Sequence, residues 1–560
     1  MPHPRQHITD LAVICRKKGI ISVVISPGSR SAPLIQAFYA VFGDQCISIV
    51  DERSAAYFAL GIAVLTRTPV VLICTSGTAV LNYAPALAEA YYQGIPLLAV
   101  TADRPREWID QQDNQTLQQP GIYRSFIKAG YDLPQVITTD DELWYAHRMV
   151  NEAVNLCTAP GCGPVHINVP LTEPLYDELP PPSGSVRIIN REDPGITLTL
   201  PDEMIREWNA ASRIMIIHGQ DFPGSEASRV LPPLLRDGRI VLLAENIANI
   251  PEGIAIANSN LVLSLTRGNS PQYPDLIIHS GGQVVSKALT GYLRRAGGVS
   301  CWRVGPGNTI VDTFRQATRV LEQSPAAVYQ ALLSVSPARF GPGYRESWLG
   351  AAEKANAYAE KMMKQAPFSD LTVFNHVFRS LPATTLVSLG NSSIIRYAQL
   401  FQADGKMPFY ANRGVSGIDG CLSTAAGIAF ASKLPTLAVT GDLGFLYDSN
   451  ALWNNALPIN LRILVVNNGG GGIFHIIKGP SEQPGFKKFV EADHPVKIHK
   501  LAEAYGLDYY FADEITALER SWDSFLAGTG RAVIFEVKTN AEISALTFRQ
   551  IMNPARQPLK

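Results

Sequence analysis

The chain repeats one pattern near its start: a short, unbroken aliphatic run that stops at glycine, serine, threonine or aspartate and gives way to a helix-like stretch. Residues 21–25 run into Ser26-Pro27-Gly28-Ser29-Arg30, residues 70–74 into Thr75-Ser76-Gly77-Thr78, and residues 97–100 into Thr101-Ala102-Asp103-Arg104; residues 165–169 close the set. A strand with one wet face alternates apolar and polar side chains, whereas a strand buried on both faces reads as a continuous apolar run. The pattern therefore predicts parallel strands with helices on both faces, an α/β fold. Ligands of such sheets bind beyond the carboxyl ends of the strands, where these polar turns fall.

At 560 residues the chain exceeds a single core. Pro180-Pro181-Pro182-Ser183-Gly184-Ser185 marks a first boundary, and residues 337–343 a second. Between them, residues 214–217, 241–244, 261–265 and 299–304 read as strands. Residues 346–365, rich in alanine and lysine, read as a connecting helix. Ser369-Asp370 then caps a helix over 371–379, followed by strands at 385–389, 436–440, 462–466 and 532–536. Three domains are expected, at 1–180, 186–340 and 366–560, each a mainly parallel sheet flanked by helices. The first and third share one strand-to-turn grammar and the middle differs, as expected of two similar layers that need to face each other.

Composition narrows the function. Forty-eight basic against forty-nine acidic residues, with no long basic block, argue against a nucleic-acid surface. Apolar runs end after a few residues, short of the roughly 20 that span a membrane, and the start leads into no long apolar signal segment. The seven cysteines are scattered without a zinc-like spacing, as in a cytoplasmic protein with reduced, mostly buried thiols.

The most specific chemistry lies late in the chain. Gly441-Asp442 should end the strand at 436–440, and Asn467-Asn468-Gly469-Gly470 the strand at 462–466. With residues 447–455 read as the intervening helix, both polar groups meet at one sheet edge. A carboxylate, an amide oxygen and a glycine carbonyl are hard oxygen ligands suited to magnesium, with diphosphate oxygens completing the shell. The glycines at 469–472 permit close backbone approach, and the helix after them can aim its amides at phosphate. Neither a P-loop lysine pattern nor GxGxxG is present, which disfavours ATP and nicotinamide cofactors.

This segment resembles the thiamine-diphosphate motif of the enzymes that include pyruvate decarboxylase, acetolactate synthase and transketolase. Their usual Gly-Asp-Gly reads Gly441-Asp442-Leu443 here. The chain is most similar to the 2-succinyl-5-enolpyruvyl-6-hydroxy-3-cyclohexene-1-carboxylate synthases of menaquinone biosynthesis. Six strings carry that likeness: Ser26-Pro27-Gly28-Ser29-Arg30-Ser31, Thr101-Ala102-Asp103-Arg104-Pro105, Asn114-Gln115, Gly390-Asn391-Ser392, Asn412-Arg413-Gly414 and Ser416-Gly417-Ile418-Asp419-Gly420. The resemblance implies a thiamine-diphosphate-binding fold whose first domain holds the pyrimidine and third the diphosphate.

By the same resemblance, Asp442, Asn468 and the Gly470 carbonyl hold magnesium, with manganese as an alternative. Glu52 faces the pyrimidine ring, and Ser29, Gly441, Leu443, Gly471, Ile473 and Phe474 line the cofactor. Ile418 is the bulky residue beneath it that keeps its two rings folded together. The implied reaction decarboxylates 2-oxoglutarate and adds the succinyl-semialdehyde carbanion to isochorismate, giving the compound for which the synthases are named and CO2. Both substrates are multiply anionic, and Arg30, Arg104, Lys287, Arg396 and Arg413 are the candidate cations. Asn114, Gln115 and Ser392 are candidate substrate contacts. The family also implies a homo-oligomer, at least a dimer and by its habit a tetramer, with Glu52 and Asp442 supplied by different subunits. Competing readings are a simple 2-oxoacid decarboxylase or carboligase, against which Leu443 and the cations argue, and a catalytically idle scaffold. His475 reads as a local pocket or surface residue.

Overall fold

The computed structural model describes residues 2–184, 186–192, 198–251, 253–266, 271–307, 310–335, 343–401, 407–477 and 479–553. Three sheets carry the fold, and every strand pair in them is parallel. The first contains β1 (Val23–Ile25), β2 (Cys46–Ser48), β3 (Val70–Cys74), β4 (Leu97–Asp103), β5 (Gly130–Asp132) and β6 (Val165–Pro170), in the order β2-β1-β3-β4-β6-β5. The second contains β7 (Ile214–His218), β8 (Ile240–Leu243), β9 (Leu276–Ser280), β10 (Ser300–Val304) and β11 (Ala317–Leu321), in the order β11-β10-β9-β7-β8. The third contains β12 (Leu386–Leu389), β13 (Phe409–Ala411), β14 (Thr436–Gly441), β15 (Leu461–Asn467), β16 (Asp508–Ala512) and β17 (Val533–Lys538), in the order β13-β12-β14-β15-β17-β16.

The parallel sheets flanked by helices bear out the expected fold class. First and third sheets have the same strand order, each reversing direction between its first and third strands, and the middle sheet differs. That switch point is where a doubly wound sheet leaves a crevice at its carboxyl edge. The continuous apolar runs are buried throughout, as in β3, β4, β7 and β15. All seven cysteines are free thiols, five of them buried. Among the described residues no helix is long and apolar enough to cross a membrane.

Several expectations are corrected. Residues 261–265 are not a strand but belong to the helix Ser259–Leu265, all but one of whose residues after the first two are buried. A short apolar run in a buried helix has no periodicity to distinguish it from a strand. The helix read at 447–455 instead begins at Asp442 and ends at Tyr447, followed by a 3-10 turn at Ser449–Leu452. The helix Asp370–Ser380 has Ser369 at the expected cap position, where the Ser369 amide donates to the Thr372 hydroxyl at 2.8 Å, and the connecting helix runs Tyr344–Lys364. The boundary read at 337–343 lies, except for Gly343, outside the described residues.

Contacts divide the chain into two compact units. One comprises residues 1–194, 412–433 and 447–459, and the other 195–411, 434–446 and 460–560. In the first unit, the helix Glu52–Thr66 crosses the helix Cys421–Ser432 at a point made by two glycines. A Cβ on Gly61 would lie 2.1 Å from the Thr424 carbonyl oxygen, and one on Gly427 would lie 2.0 Å from that of Phe58. The two backbones touch where no side chain fits. Beside this crossing, buried Asp448 accepts from the Ser423 amide and hydroxyl, both at 2.7 Å. Burial pushes its carboxyl up to about 7, against the two Ser423 bonds and the Arg53 charge.

Gly427→Ala should cost about 1–3 kcal/mol through forced separation of the helices. Gly350→Ala, in the connecting helix with open space around its Cβ, should be neutral or stabilising by up to about 1 kcal/mol. Chemical denaturation of the two variants measures the contrast. Asp448 predicts a pH slope as well. An unfolded aspartate loses its proton near pH 4 and the folded one near 7, so its contribution is whole below the first value and is lost as pH rises through the second. Asp448→Asn should flatten that part of the stability–pH curve between these limits.

Candidate functional site

Two clusters form at sheet edges, one in each compact unit. In the second unit, β14 and β15 pair along their whole length, with Gly441 opposite Val466. Asp442 and Asn468 therefore emerge side by side. Asp442 is buried at the first position of its helix; its Oδ1 accepts from the Leu443 amide at 2.8 Å and its Oδ2 from the Gly469 amide at 2.9 Å. His494 Nε2 lies 3.3 Å from the same Oδ2, and the Asp442 carboxylate holds the His494 imidazole above its ordinary range.

The two asparagines differ in what is left over. Asn467 gives its amide nitrogen to Glu536 at 2.6 Å, and its oxygen accepts from Gly469 at 3.1 Å. Asn468 gives its nitrogen to Asp370 at 2.9 Å, but its Oδ1 is buried and has no partner. A buried amide oxygen without a donor is costly unless something else fills the position. Together with Asp442 and the adjacent glycine backbone it suits a hard cation. Among the described residues no three His, Cys, Asp or Glu side chains cluster as a metal cage. A cation here would thus depend on one carboxylate, neutral oxygens and a phosphorylated ligand.

The glycine run is crowded. Gly470 has a φ of +154°, and a Cβ on it would lie 2.6 Å from the Glu491 carbonyl oxygen. Gly472 is closed in the same way by the Asn468 amide, and Gly471 by the Phe474 ring. The following helix, Ile473–Ile476, is a single turn, and the amides of Gly471, Gly472, Phe474 and His475 already donate to carbonyls. Four amides of the segment expected to face phosphate are thus already engaged, and that of Ile473, first in the helix, is not among them. Ile473 is buried, whereas Leu443 and Phe474 are half-buried. His475 bonds Glu491 at 2.7 Å and packs edge-on against Phe486, as a local structural residue does.

Ser392 follows β12 at the switch point, with φ +68° and ψ −125°, a conformation that costs a side-chain-bearing residue. Arg396 curls back to donate to the Ser392 carbonyl at 2.6 Å and is half-buried, not the solvated helix residue that a lone arginine usually is. Lys287 is exposed at the first position of the helix Lys287–Arg294, capped by Ser286.

The first unit holds the remaining candidates. Glu52 opens its helix beside Asp51, whose side chain caps the Ser54 amide at 3.1 Å and also accepts from Asn450. Arg53 donates to the Tyr447 carbonyl at 2.7 Å and lies over that ring. Both neighbours of Glu52 are thus tied down. Burial raises the Glu52 carboxyl; a backbone amide opposes this, the Asp51 charge adds to it, and the Asn82 amide again opposes it. Ile418 precedes Asp419, which accepts from Tyr57 of the same helix at 3.1 Å.

Arg30 and Arg104 come together. Arg30 is buried, donating to the Leu171 carbonyl at 3.0 Å and Glu173 at 2.8 Å, and Arg104 pairs with Asp113 at 3.3 Å. Burial and then the Arg104 charge depress the Arg30 guanidinium. The Nε atoms of both are buried without hydrogen-bond partners among the described residues. Gln115, at φ +58°, donates to the Ser76 carbonyl at 2.9 Å and accepts the Ser76 hydroxyl on its own carbonyl at 3.1 Å. Asn114 and Ser29 are exposed. Sequence reading missed Glu89, a buried carboxylate that accepts from the amides of Gly414, Val415 and Ser416 and so fixes the loop after Arg413. It also missed Asp370 as a partner of Asn468 and His494 as a partner of Asp442. None carries a local signal, because each acts across a long separation in the chain.

Two family models match the chain, the second across segments of both compact units. Residues 8–122 match the thiamine pyrophosphate enzyme N-terminal TPP binding domain, and residues 389–536 the corresponding C-terminal TPP binding domain. A Desulfotalea psychrophila 2-succinyl-5-enolpyruvyl-6-hydroxy-3-cyclohexene-1-carboxylate synthase is 40% identical over 520 residues, covering 90% of this chain and 93% of its own. The Porphyromonas gingivalis and Bacteroides thetaiotaomicron synthases are 38% and 36% identical, covering 96% and 99% of this chain and 94% and 99% of their own.

The strained serine offers a local test. Ser392→Gly should raise the unfolding free energy by about 1 kcal/mol by relieving its backbone. Chemical denaturation reads this directly, and a fall in stability would show that the side chain's contacts outweigh the strain.

Proposed function

This chain belongs to the 2-succinyl-5-enolpyruvyl-6-hydroxy-3-cyclohexene-1-carboxylate synthases, thiamine-diphosphate-dependent transferases, and we propose that it joins decarboxylated 2-oxoglutarate to isochorismate with release of CO2. The observation that carries the site assignment is the Asn468 Oδ1, buried and unpartnered beside the Asp442 carboxylate. Asp442, Asn468 and the Gly470 carbonyl, which also accepts from the Gly472 amide, would hold magnesium or manganese beside the cofactor diphosphate. Thiamine diphosphate supplies the electron sink for carbanion chemistry that side chains lack.

The protein's own groups bind and move protons. Glu52, its carboxyl raised by burial, would face the pyrimidine ring of the bound cofactor and exchange a proton with it at its carboxylate oxygen. Arg30 and Arg104 supply positive charge for a substrate carboxylate, with Glu173 and Asp113 as the ion pairs such a substrate would compete with. Arg413, on the loop fixed by Glu89, and Arg396, beside Ser392, provide further cations. Gln115 and Asn114 contact substrate from the polar turn beyond β4, and Lys287 is the most remote of the set. Ser29, Ile418, Gly441, Leu443, Gly471, Ile473 and Phe474 line the cofactor. The active unit is a dimer or a higher homo-oligomer such as a tetramer, in the cytoplasm, with no nucleic-acid or membrane partner. Its three sheets serve as pyrimidine-binding, central and diphosphate-binding domains.

Product formation from 2-oxoglutarate and isochorismate, with thiamine diphosphate and magnesium, tests the reaction; preference for pyruvate would overturn it. Glu52→Gln should leave fold and magnesium-dependent cofactor binding intact while lowering kcat by about 10²–10⁴-fold. Mixing Glu52→Gln with Asp442→Ala subunits should restore activity, because a mixed dimer rebuilds one intact site from the unaltered halves. Failure to complement would place both residues in one subunit's site.

A further inference from the structure

Asp370 lies outside the residues assigned above, on the helix before β12, yet it determines what Asn468 presents. Its side chain is fully buried, and both carboxylate oxygens are engaged: Oδ2 accepts the Asn468 amide nitrogen at 2.9 Å, and Oδ1 accepts the Thr539 hydroxyl. Its own backbone amide donates to Ser544 Oγ at 3.0 Å. Asp370 is therefore fixed at three points, two of them on the segment after β17. Both of its oxygens act as acceptors, so Asp370 holds the nitrogen end of the Asn468 amide and turns the oxygen end away. The oxygen turned away is the buried Oδ1 that has no partner. Gly472 packs against the same amide; a Cβ there would lie 2.4 Å from its nitrogen.

We propose that Asp370 is a positioning residue for the metal seat, acting through Asn468 by locking its amide with the oxygen toward the cation. This rests on the assignment of Asp442, Asn468 and Gly470 as the seat. Groups that orient a ligand in this way set metal affinity without touching the metal. Asn467 gives the internal contrast, since Glu536 holds its nitrogen but Gly469 already occupies its oxygen.

Calorimetric titration of thiamine diphosphate into the full-length protein at a series of magnesium concentrations tests this. Asp370→Asn should raise the magnesium needed for half-maximal cofactor binding by about 10–100-fold, with binding recovered at saturating magnesium. Thr539→Val, which frees one oxygen of Asp370, should shift it in the same direction by less. Glu536→Gln, which loosens Asn467 instead, should leave the requirement unchanged. A wild-type magnesium requirement in Asp370→Asn overturns the proposal, as does an equal shift in Glu536→Gln. Should Asp370→Asn not fold, Thr539→Val decides, and an unshifted requirement there overturns it. Magnesium-independent binding by the wild-type protein would remove the seat assignment together with this inference.

Discussion

The parallel pairing of β14 with β15 is the constraint on which the meeting of Asp442 and Asn468 depends. Strands that run the same way end at the same edge, so an aspartate after one and an asparagine after the next become neighbours despite their separation in sequence. The crossover between them is long enough to return over the sheet face, and its ends leave polar groups at the opening. In the first sheet, β3 and β4 obey the same rule, with Cys74 opposite Thr101. There the edge carries Ser76, Gly77, Gln115 and Arg104.

One topology thus presents two opposite electrostatic characters. The third-sheet edge offers a carboxylate and amide oxygens to a cation. The first-sheet edge carries two guanidiniums whose Nε atoms lack hydrogen-bond partners among the described residues. Neither character follows from the strand order, which is common to both sheets. It is set by the few residues just beyond each strand, where a substitution changes chemistry without disturbing the ladder.

Continuous apolar strands were legible because burial on both faces removes alternation, and β3, β7 and β15 fall where such runs predict them. The same cue failed at 259–265, where a buried helix is too short to show its period. Gly441-Asp442 and Asn467-Asn468 were legible as neighbours at one edge because each lies at the end of a strand in the same parallel pair. Ser369-Asp370 could be read as a helix cap, but a cap needs only local backbone; the contact from Asp370 to Asn468 joins separate elements and leaves no mark in either. His494 and Glu89 were silent for the same reason. In isolation each is an ordinary polar residue, and tertiary packing gives it its partner.

The crossing at Gly61 and Gly427 has a consequence for how this protein can change. Contact there is backbone against backbone, with no rotamer to adjust and no side chain to trim. The helix that Glu52 opens is thereby indexed at Gly61 like a mechanical stop. The candidate cations sit on loops and helix ends elsewhere. Residues such as Arg30, Arg104 and Arg413 can be exchanged as interchangeable parts without touching this contact, while the crossing itself stays factory-set.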